Sequence, residues 1–336
     1  MRRTRLGRTE LEVSVIGLGG IPIQGVSAAE AERVVGAALE EGLNLIDSAR
    51  VYTDSEQKLG RALRGRRPKV VLATKSMARD RAGMAREIDA SLAALETDFI
   101  DLYQVHNPGN QAQLEQALGP DGALEALEHA RREGKVRFVG VTGHSRPLLL
   151  SALHTGRFDC VQLPWSPLEP EGRDDVLPAA RSVGAGVLAM KPLGGGALAS
   201  VSLQALRQGL ELGADALLAG MNTLEEVRQN ARAGRSQGPL TAADLAALEA
   251  ECARWAGEFC RRCGYCKPCP NGLDIPFLLL LDAYYVRYEL EDWARQRLAA
   301  LSKRFQDCQN CGTCESRCPY GLPVPELMRR AADRVR

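Results

Sequence analysis

From residue 15 to residue 221 the chain keeps returning to one pattern: a short apolar run, then a stretch whose apolar positions recur every three or four residues. The apolar runs are VIGLGG (15–20), LNLID (43–47), KVVLATK (69–75), FIDLYQVH (99–106), VRFVGVTG (136–143), CVQLPW (160–165), GVLAMKP (186–192) and ALLAGM (216–221). Runs of this length predict strands, and segments such as SAAEAERVVGAALEEG and AGMAREIDASLAALE predict amphipathic helices. Eight strand–helix units in series predict an α/β fold, a (β/α)8 TIM barrel. A doubly wound open sheet is the competing architecture. The count of eight, and the lack of a G-x-G-x-x-G after the first strand, weigh against it.

The pattern changes after a further predicted helix, TAADLAALEAECARWAGE (241–258). Two cysteine strings follow, CRRCGYCKPCP (260–270) and CQNCGTCESRCP (308–319), each trailed by a similar tail, CPNGLDIP and CPYGLPVP. The second string fits the C-x2-C-x2-C-x3-C-P spacing of bacterial ferredoxins, while the first is one residue short before its last cysteine. The spacer PFLLLLDAYYVRYELEDWARQRLAALSKRF reads as helix in two pieces. The division expected is a barrel over 1–250 and an α-helical ferredoxin-like iron–sulfur domain over 251–336. In ferredoxins with two clusters the fourth cysteine of each string ligates the other cluster. Cys260, Cys263, Cys266 and Cys318 would then hold one [4Fe–4S] cluster, and Cys308, Cys311, Cys314 and Cys269 a second. Zinc is the alternative, since C-x2-C pairs also build four-cysteine sites. Three cysteines in series before a Cys-Pro, twice over, favour iron–sulfur, and the shortened spacing leaves one cluster rather than two open.

Composition narrows the setting. The 336 residues are 45% apolar and 25% charged, with a net charge of +1. That balance gives no electrostatic reason to expect a nucleic acid or a membrane as partner. The opening MRRTRLGRTELEV lacks the apolar centre of a signal peptide, and IPFLLLLDAYYV is too short to span a bilayer. A cytoplasmic protein is expected, and in a reducing compartment clustered cysteines point to metal rather than disulfides. Cys160 and Cys252, outside the strings, read as buried small hydrophobes.

Active sites of such barrels form where strands end and loops begin. Asp47, Lys75 and His106 end the second, third and fourth predicted strands, and Tyr52 follows the second. Each alone has an ordinary reading as cap, surface charge, loop histidine or packing ring. Together at one barrel mouth they form an acid–base set.

The segments NLIDSARVYTDSEQKLGRAL, LATK, LYQVH, VGVTGHS, AMKPLGGG and GMNTLEEVRQN, in that order, resemble the successive motifs of the aldo-keto reductase family, and RRTRLGRTELEVSVIGLGG resembles its opening hairpin and first strand. The resemblance covers residues 1 to about 235. It implies that Tyr52 donates the proton in carbonyl reduction, assisted by Lys75, Asp47 and His106. The chemistry agrees: a tyrosine with its usual pKa of about 10 is a poor acid at neutral pH, and a nearby ammonium favours its phenolate. It also implies a nicotinamide cofactor, NADP(H) or NAD(H). Its contacts would come from Thr142, Gln162 and Trp165, from Lys191, Leu193, Gly194 and Gly195, and from Gly220, Met221, Asn222, Glu226 and Asn230. Trp165 would stack on the nicotinamide, and the glycines of KPLGGG would let backbone N–H groups approach a pyrophosphate. Gly143 stands where the family usually has an asparagine. Gly220, Met221 and Glu226 replace residues that grip a 2′-phosphate, so NADP(H) is expected from family habit and opposed by local charge.

The leading expectation is an NAD(P)-dependent oxidoreductase acting on a small carbonyl or alcohol substrate, coupled to or regulated by iron–sulfur clusters, with a redox carrier protein as possible partner. The alternatives are a redox-sensing or electron-transfer protein whose barrel binds nicotinamide, and an acid–base isomerase or lyase without net hydride transfer.

Overall fold

The computed structural model describes residues 1–335. Strands β1 (Arg3–Arg5) and β2 (Glu12–Ser14) form an antiparallel hairpin. Eight parallel strands then close a barrel: β3 (Ile16–Gly19), β4 (Leu45–Asp47), β5 (Val71–Ser76), β6 (Ile100–His106), β7 (Val136–Thr142), β8 (Cys160–Pro164), β9 (Gly186–Met190) and β10 (Ala216–Gly220), with β10 pairing back to β3. Seven of them lie within the apolar runs of the sequence, and β5 extends beyond its run by Ser76.

Among the described residues nine helices are interspersed with these strands, two of them between β6 and β7: α1 (Ala28–Glu40), α2 (Ser55–Ala62), α3 (Arg81–Ala94), α4 (Gln111–Leu118), α5 (Ala123–Arg132), α6 (Arg146–His154), α7 (Val176–Ser182), α8 (Ser202–Glu211) and α9 (Leu224–Arg235). Their starts are written locally. Ser27 and Glu30 form a capping box on α1, and Thr223 and Glu226 form another on α9.

The barrel holds two apolar layers. One lies between strands and helices; the other is inside the barrel, where Leu45, Ala73, Leu102, Cys160 and Leu188 meet Leu6, Leu11 and Val13 of the hairpin region. Side chains of a strand alternate faces. The inward positions two residues further on are therefore Asp47, Lys75, Gln104 and Gln162, all buried. The lower layer is thus sealed by hydrocarbon and the upper layer is polar, which places the chemistry at the strand C-terminal ends.

The chain divides into two compact units. The first is Met1–Leu193 with Ser202–Thr241; the second joins Gly194–Val201 to the chain from Ala242 onward. The second unit carries α10 (Ala242–Trp255), α11 (Ile275–Val286), α12 (Glu291–Ala299), α13 (Thr313–Ser316) and α14 (Val324–Arg334). Asp274 caps α11 by accepting from Phe277 N, and Arg334 grips Asp282 of α11 with two bonds of 2.8 and 2.7 Å. Leu278, Leu281, Ala294, Leu298, Met328 and Ala331 are buried. Among the described residues no helix is long and apolar enough to cross a membrane.

Candidate active site

Strand register assembles the acid–base set. Asp47 at the end of β4 pairs with Ala73, and Lys75 two residues on along β5 lies beside Gln104 of β6. The Lys75 ammonium reaches Asp47 Oδ2 at 2.5 Å and the Ser48 carbonyl at 2.6 Å, with no exposed surface of its own. Burial dominates both partners, raising the Asp47 carboxyl and lowering the Lys75 ammonium from their ordinary values against their mutual attraction. Lys75 Nζ also lies 5.1 Å from the centroid of the half-buried Tyr52 ring, and Tyr52 and His106 meet edge to face at 6.2 Å. The structure brings all four residues together. Burial first, then the charges of Lys75, Arg79 and Lys191, hold His106 well below the usual imidazole range, so it is neutral at neutral pH.

Of these four, His106 of β6 sits level with Thr142 of β7 and Gln162 of β8, joined by the sheet register. Thr142 and Gln162 are buried, and Gln104 Nε2 donates to Gln162 Oε1 at 2.7 Å. Four buried polar atoms here, Gln104 Oε1, His106 Nδ1, Thr142 Oγ1 and Trp165 Nε1, have no hydrogen-bond partner among the described residues. Buried polar atoms are nearly always paired. A row of orphans fits a group that both donates and accepts, such as a carboxamide. Trp165 is placed differently from a ring open to a ligand: it has no exposed surface, and a Cβ on Gly172 would lie 3.2 Å from its Cε3.

Lys191 follows β9 with φ +57°, and Gly194, Gly195 and Gly196 have φ of +57°, +60° and +93°. Among non-glycine residues of the first unit, Lys191, Thr53 after Tyr52 and Asn107 after His106 are left-handed, so backbone strain collects beside Tyr52 and His106. Beyond β10, Met221 is buried, and Gly220 lies so close to Pro22 that a Cβ would stand 2.8 Å from its Cγ. Glu226 Oε2 accepts from Asn222 N at 2.8 Å and Thr223 N at 3.1 Å, so the start of α9 already carries a carboxylate. Asn230 is buried on the same helix.

In the second unit, Cys260, Cys263, Cys266 and Cys318 line one small cavity with Ile275 and Leu279 of α11, and with Leu322 and Val324. Burial, then Cys260 and Cys263, push the Cys266 thiol up to about 12. Thiols this crowded in apolar surroundings ionise together only against a compensating cation, the chemistry of a thiolate-ligated metal centre. Cys314 feels Cys308 and Cys311 as neighbours, and Arg317 Nη1 donates to Pro268 O at 3.0 Å, which ties the residue before Cys318 to the residue before Cys269. No disulfide joins any of the ten cysteines, and among the described residues no group of three or more His, Cys, Asp or Glu is arranged to hold a metal ion by itself. The donor set of the cavity fits an iron–sulfur cluster.

Residues 15–232 match the aldo/keto reductase family. The chain belongs to that family. Residues 259–323 match a 4Fe-4S dicluster domain. Aldo-keto reductase YhdN of Bacillus subtilis (strain 168) is 32% identical over 200 residues, which cover 54% of this chain and 59% of that protein. An uncharacterized oxidoreductase of the same organism, YrpG, is 34% identical over 235 residues, 61% of this chain and 70% of its own. Among solved structures, aldo-keto reductase AKR11C1 from Bacillus halodurans in its holo form superposes with a TM-score of 0.64 at 25% identity, over 75% of this chain and 96% of that one. The chain is therefore an oxidoreductase of a family that uses NAD(P)H, carrying an iron–sulfur domain.

Three residues of this family barrel were not apparent from the sequence. Gln104 bridges the two halves of the site, lying 3.5 Å from Asp47 Oδ1 and 2.7 Å from Gln162 Oε1. Glu56 is buried behind Lys75 and receives Arg50, Thr74 and Ser91 at 2.5, 2.7 and 2.9 Å. Arg79 donates to the carbonyls of His106 and Asn107 at 2.7 and 2.9 Å, fixing the turn after β6. Only Gln104 had a signal: in LYQVH it stands two residues before His106, on the same strand face.

Proposed function

We propose that the chain interconverts a small carbonyl compound and its alcohol with a nicotinamide nucleotide, and that Tyr52 moves the proton. The observation that carries this is the Lys75 ammonium, held by Asp47 and Ser48 and lying 5.1 Å from the Tyr52 ring. Bound nicotinamide supplies the hydride. Lys75 stabilises the phenolate left when Tyr52 gives its proton to the substrate oxygen, and Asp47 keeps that ammonium charged despite its burial. His106, neutral, donates an N–H to the same oxygen and orients it. Thr142 Oγ1 and Gln162 bind the carboxamide, and the backbone of Lys191, Leu193, Gly194 and Gly195 approaches the pyrophosphate, with Asn230 toward the adenine.

For the nucleotide we assign NAD(H) over NADP(H). A 2′-phosphate near the start of α9 would meet the Glu226 carboxylate, and the amides of Asn222 and Thr223 are already spent on it. In the second unit, Cys260, Cys263, Cys266 and Cys318 hold one [4Fe–4S] cluster and Cys308, Cys311, Cys314 and Cys269 the other. Such clusters pass single electrons, so a one-electron carrier protein is the partner class they suit.

The test is Tyr52→Phe, assayed with NADH against a panel of small aldehydes and ketones. Turnover should fall about 10²–10⁴-fold, the range for a positioned acid–base group, with nucleotide affinity unchanged. Retained turnover would exclude Tyr52 as the proton donor. Tyr52-dependent turnover in a protein that binds neither nucleotide would replace hydride transfer with isomerisation or elimination.

A further inference from the structure

The glycines of KPLGGG have a second reason to be glycine. Gly194–Val201 packs in the second unit, and there the two residues that follow α11 close on it. A Cβ at Gly195 would stand 2.7 Å from Tyr288 Oη, and one at Gly196 would stand 3.2 Å from Arg287 O and 3.3 Å from Arg287 Cβ. Arg287 Nε donates to Gly195 O at 3.1 Å. Both residues are firmly placed. The Tyr288 ring stacks on Tyr284 at 4.9 Å, and Tyr284 stacks on Trp293 at 4.3 Å. The Arg287 guanidinium lies 5.5 Å from the Trp255 ring and 5.6 Å from that of Phe259.

Phe259, whose ring the Arg287 guanidinium approaches, directly precedes Cys260 in the chain. Of the groups whose charge reaches Arg287, Tyr288 and then the cation Arg262 come before Asp282, and Asp282 is itself gripped by Arg334. One cation thus bonds the glycine loop and packs on the ring next in sequence to a cysteine of the first cluster cavity.

We propose that Arg287 is a positioning residue that ties the loop's nucleotide-binding shape to the oxidation state of the cluster at Cys260, Cys263, Cys266 and Cys318; this rests on the nucleotide reading above. In a planar trans peptide the N–H points opposite to the C=O. With Gly195 O held by Arg287, the Gly196 N–H is directed to the other side of the loop. Reduction adds one negative charge at the thiolate-bound cluster and draws the guanidinium toward it, which weakens its hold on Gly195 O. Three consecutive glycines have no side chains to keep their left-handed shape, so the loop then relaxes. The same added charge repels a pyrophosphate. Both effects make the reduced protein the weaker binder, and by linkage nucleotide favours the oxidised cluster.

The experiment uses the full holo chain under anaerobic conditions and ADP-ribose, which carries the pyrophosphate but no nicotinamide to exchange electrons. Calorimetric affinity is measured for the oxidised and the dithionite-reduced protein. The oxidised form should bind at least about fivefold more tightly, the lower end of usual coupling. Arg287→Gln, with iron content and cluster absorbance matching the unaltered protein, should bring the two states within about twofold. Arg287→Lys, which keeps the charge but not the planar fork, should retain part of the difference, and it decides the matter if Arg287→Gln loses iron. Each tenfold preference should lower the cluster's midpoint potential by about 59 mV when ADP-ribose is added. Equal affinity in both states, or a full difference surviving in Arg287→Gln, would overturn the coupling while leaving the nucleotide site intact. No ADP-ribose binding in either state would instead remove the nucleotide reading and the coupling with it.

Discussion

The barrel and the second unit hold their polar groups by opposite means. Asp47, Lys75, Gln104 and Gln162 each stand two residues beyond an apolar inward position, so the sheet ladder that builds the barrel also sets their places. They bond to one another within the chain. Cys260, Cys263 and Cys266 lie in a stretch with no helix or strand from Phe259 to Asp274. Burial, and then the neighbouring Cys260 and Cys263, oppose ionisation of the Cys266 thiol. A site on strands has its side chains placed when the chain folds, even where atoms such as Gln104 Oε1 still lack a partner among the described residues. A site on loops, made of thiols, takes its rigidity from what it ligates.

Stripping iron is the hardest test of that contrast and should have the largest effect. A chelated, oxidant-treated sample is expected to lose the helical circular-dichroism signal of α11 to α14 and to become protease-sensitive between Ala242 and Val335, with the barrel still resistant. Unchanged protection of the second unit would mean that its loops are self-supporting. Next, Asp47→Ala leaves the Lys75 ammonium buried without its carboxylate and should lower urea-measured stability of the barrel by about 3–5 kcal/mol. Adding Lys75→Met should restore most of it. A single-variant loss under about 1 kcal/mol would show that the pair is not held as rigidly as its ladder implies.

A smaller effect follows from His106. An unfolded imidazole takes up a proton near pH 6.5, whereas the folded one resists to a much lower pH. The stability from its neutral burial is therefore full above about pH 6.5 and is lost as pH falls toward the folded value, by up to about 1.4 kcal/mol per pH unit. His106→Gln should flatten that acid limb in denaturant melts between pH 7 and 5; an unaltered slope would place the sensitivity elsewhere. The smallest change expected is at α9. Glu226→Gln keeps an amide acceptor for the cap but removes the charge, and should tighten NADPH about threefold without altering NADH. Equal gains for both nucleotides would show that Glu226 does not face the 2′ position.

These sites were unequally legible. Asp47, Lys75 and His106 could be located because a polar residue ending an apolar run is conspicuous, and eight such runs define the barrel. Glu56 and Arg79 could not, because their partners, Thr74, Ser91 and the carbonyls of His106 and Asn107, come from other strands and helices that only register brings near. Trp165 was legible as an aromatic after β8, but its complete burial beside Gly172 depends on packing that the sequence does not display. The glycines after Lys191 were legible as a place of close approach, but not that Arg287 and Tyr288 do the approaching. The cysteine spacing carried the iron–sulfur expectation because ligand geometry is local in sequence, as strand pairing is not.

The borrowing of Gly194–Val201 by the second unit bears on how this protein can be taken apart. A chain ended at Thr241 would keep every barrel strand yet strip that segment of Arg287 and Tyr288. For anyone dissecting the enzyme, the tail is not an accessory to be trimmed: the piece left behind would be a barrel with a frayed loop between β9 and α8.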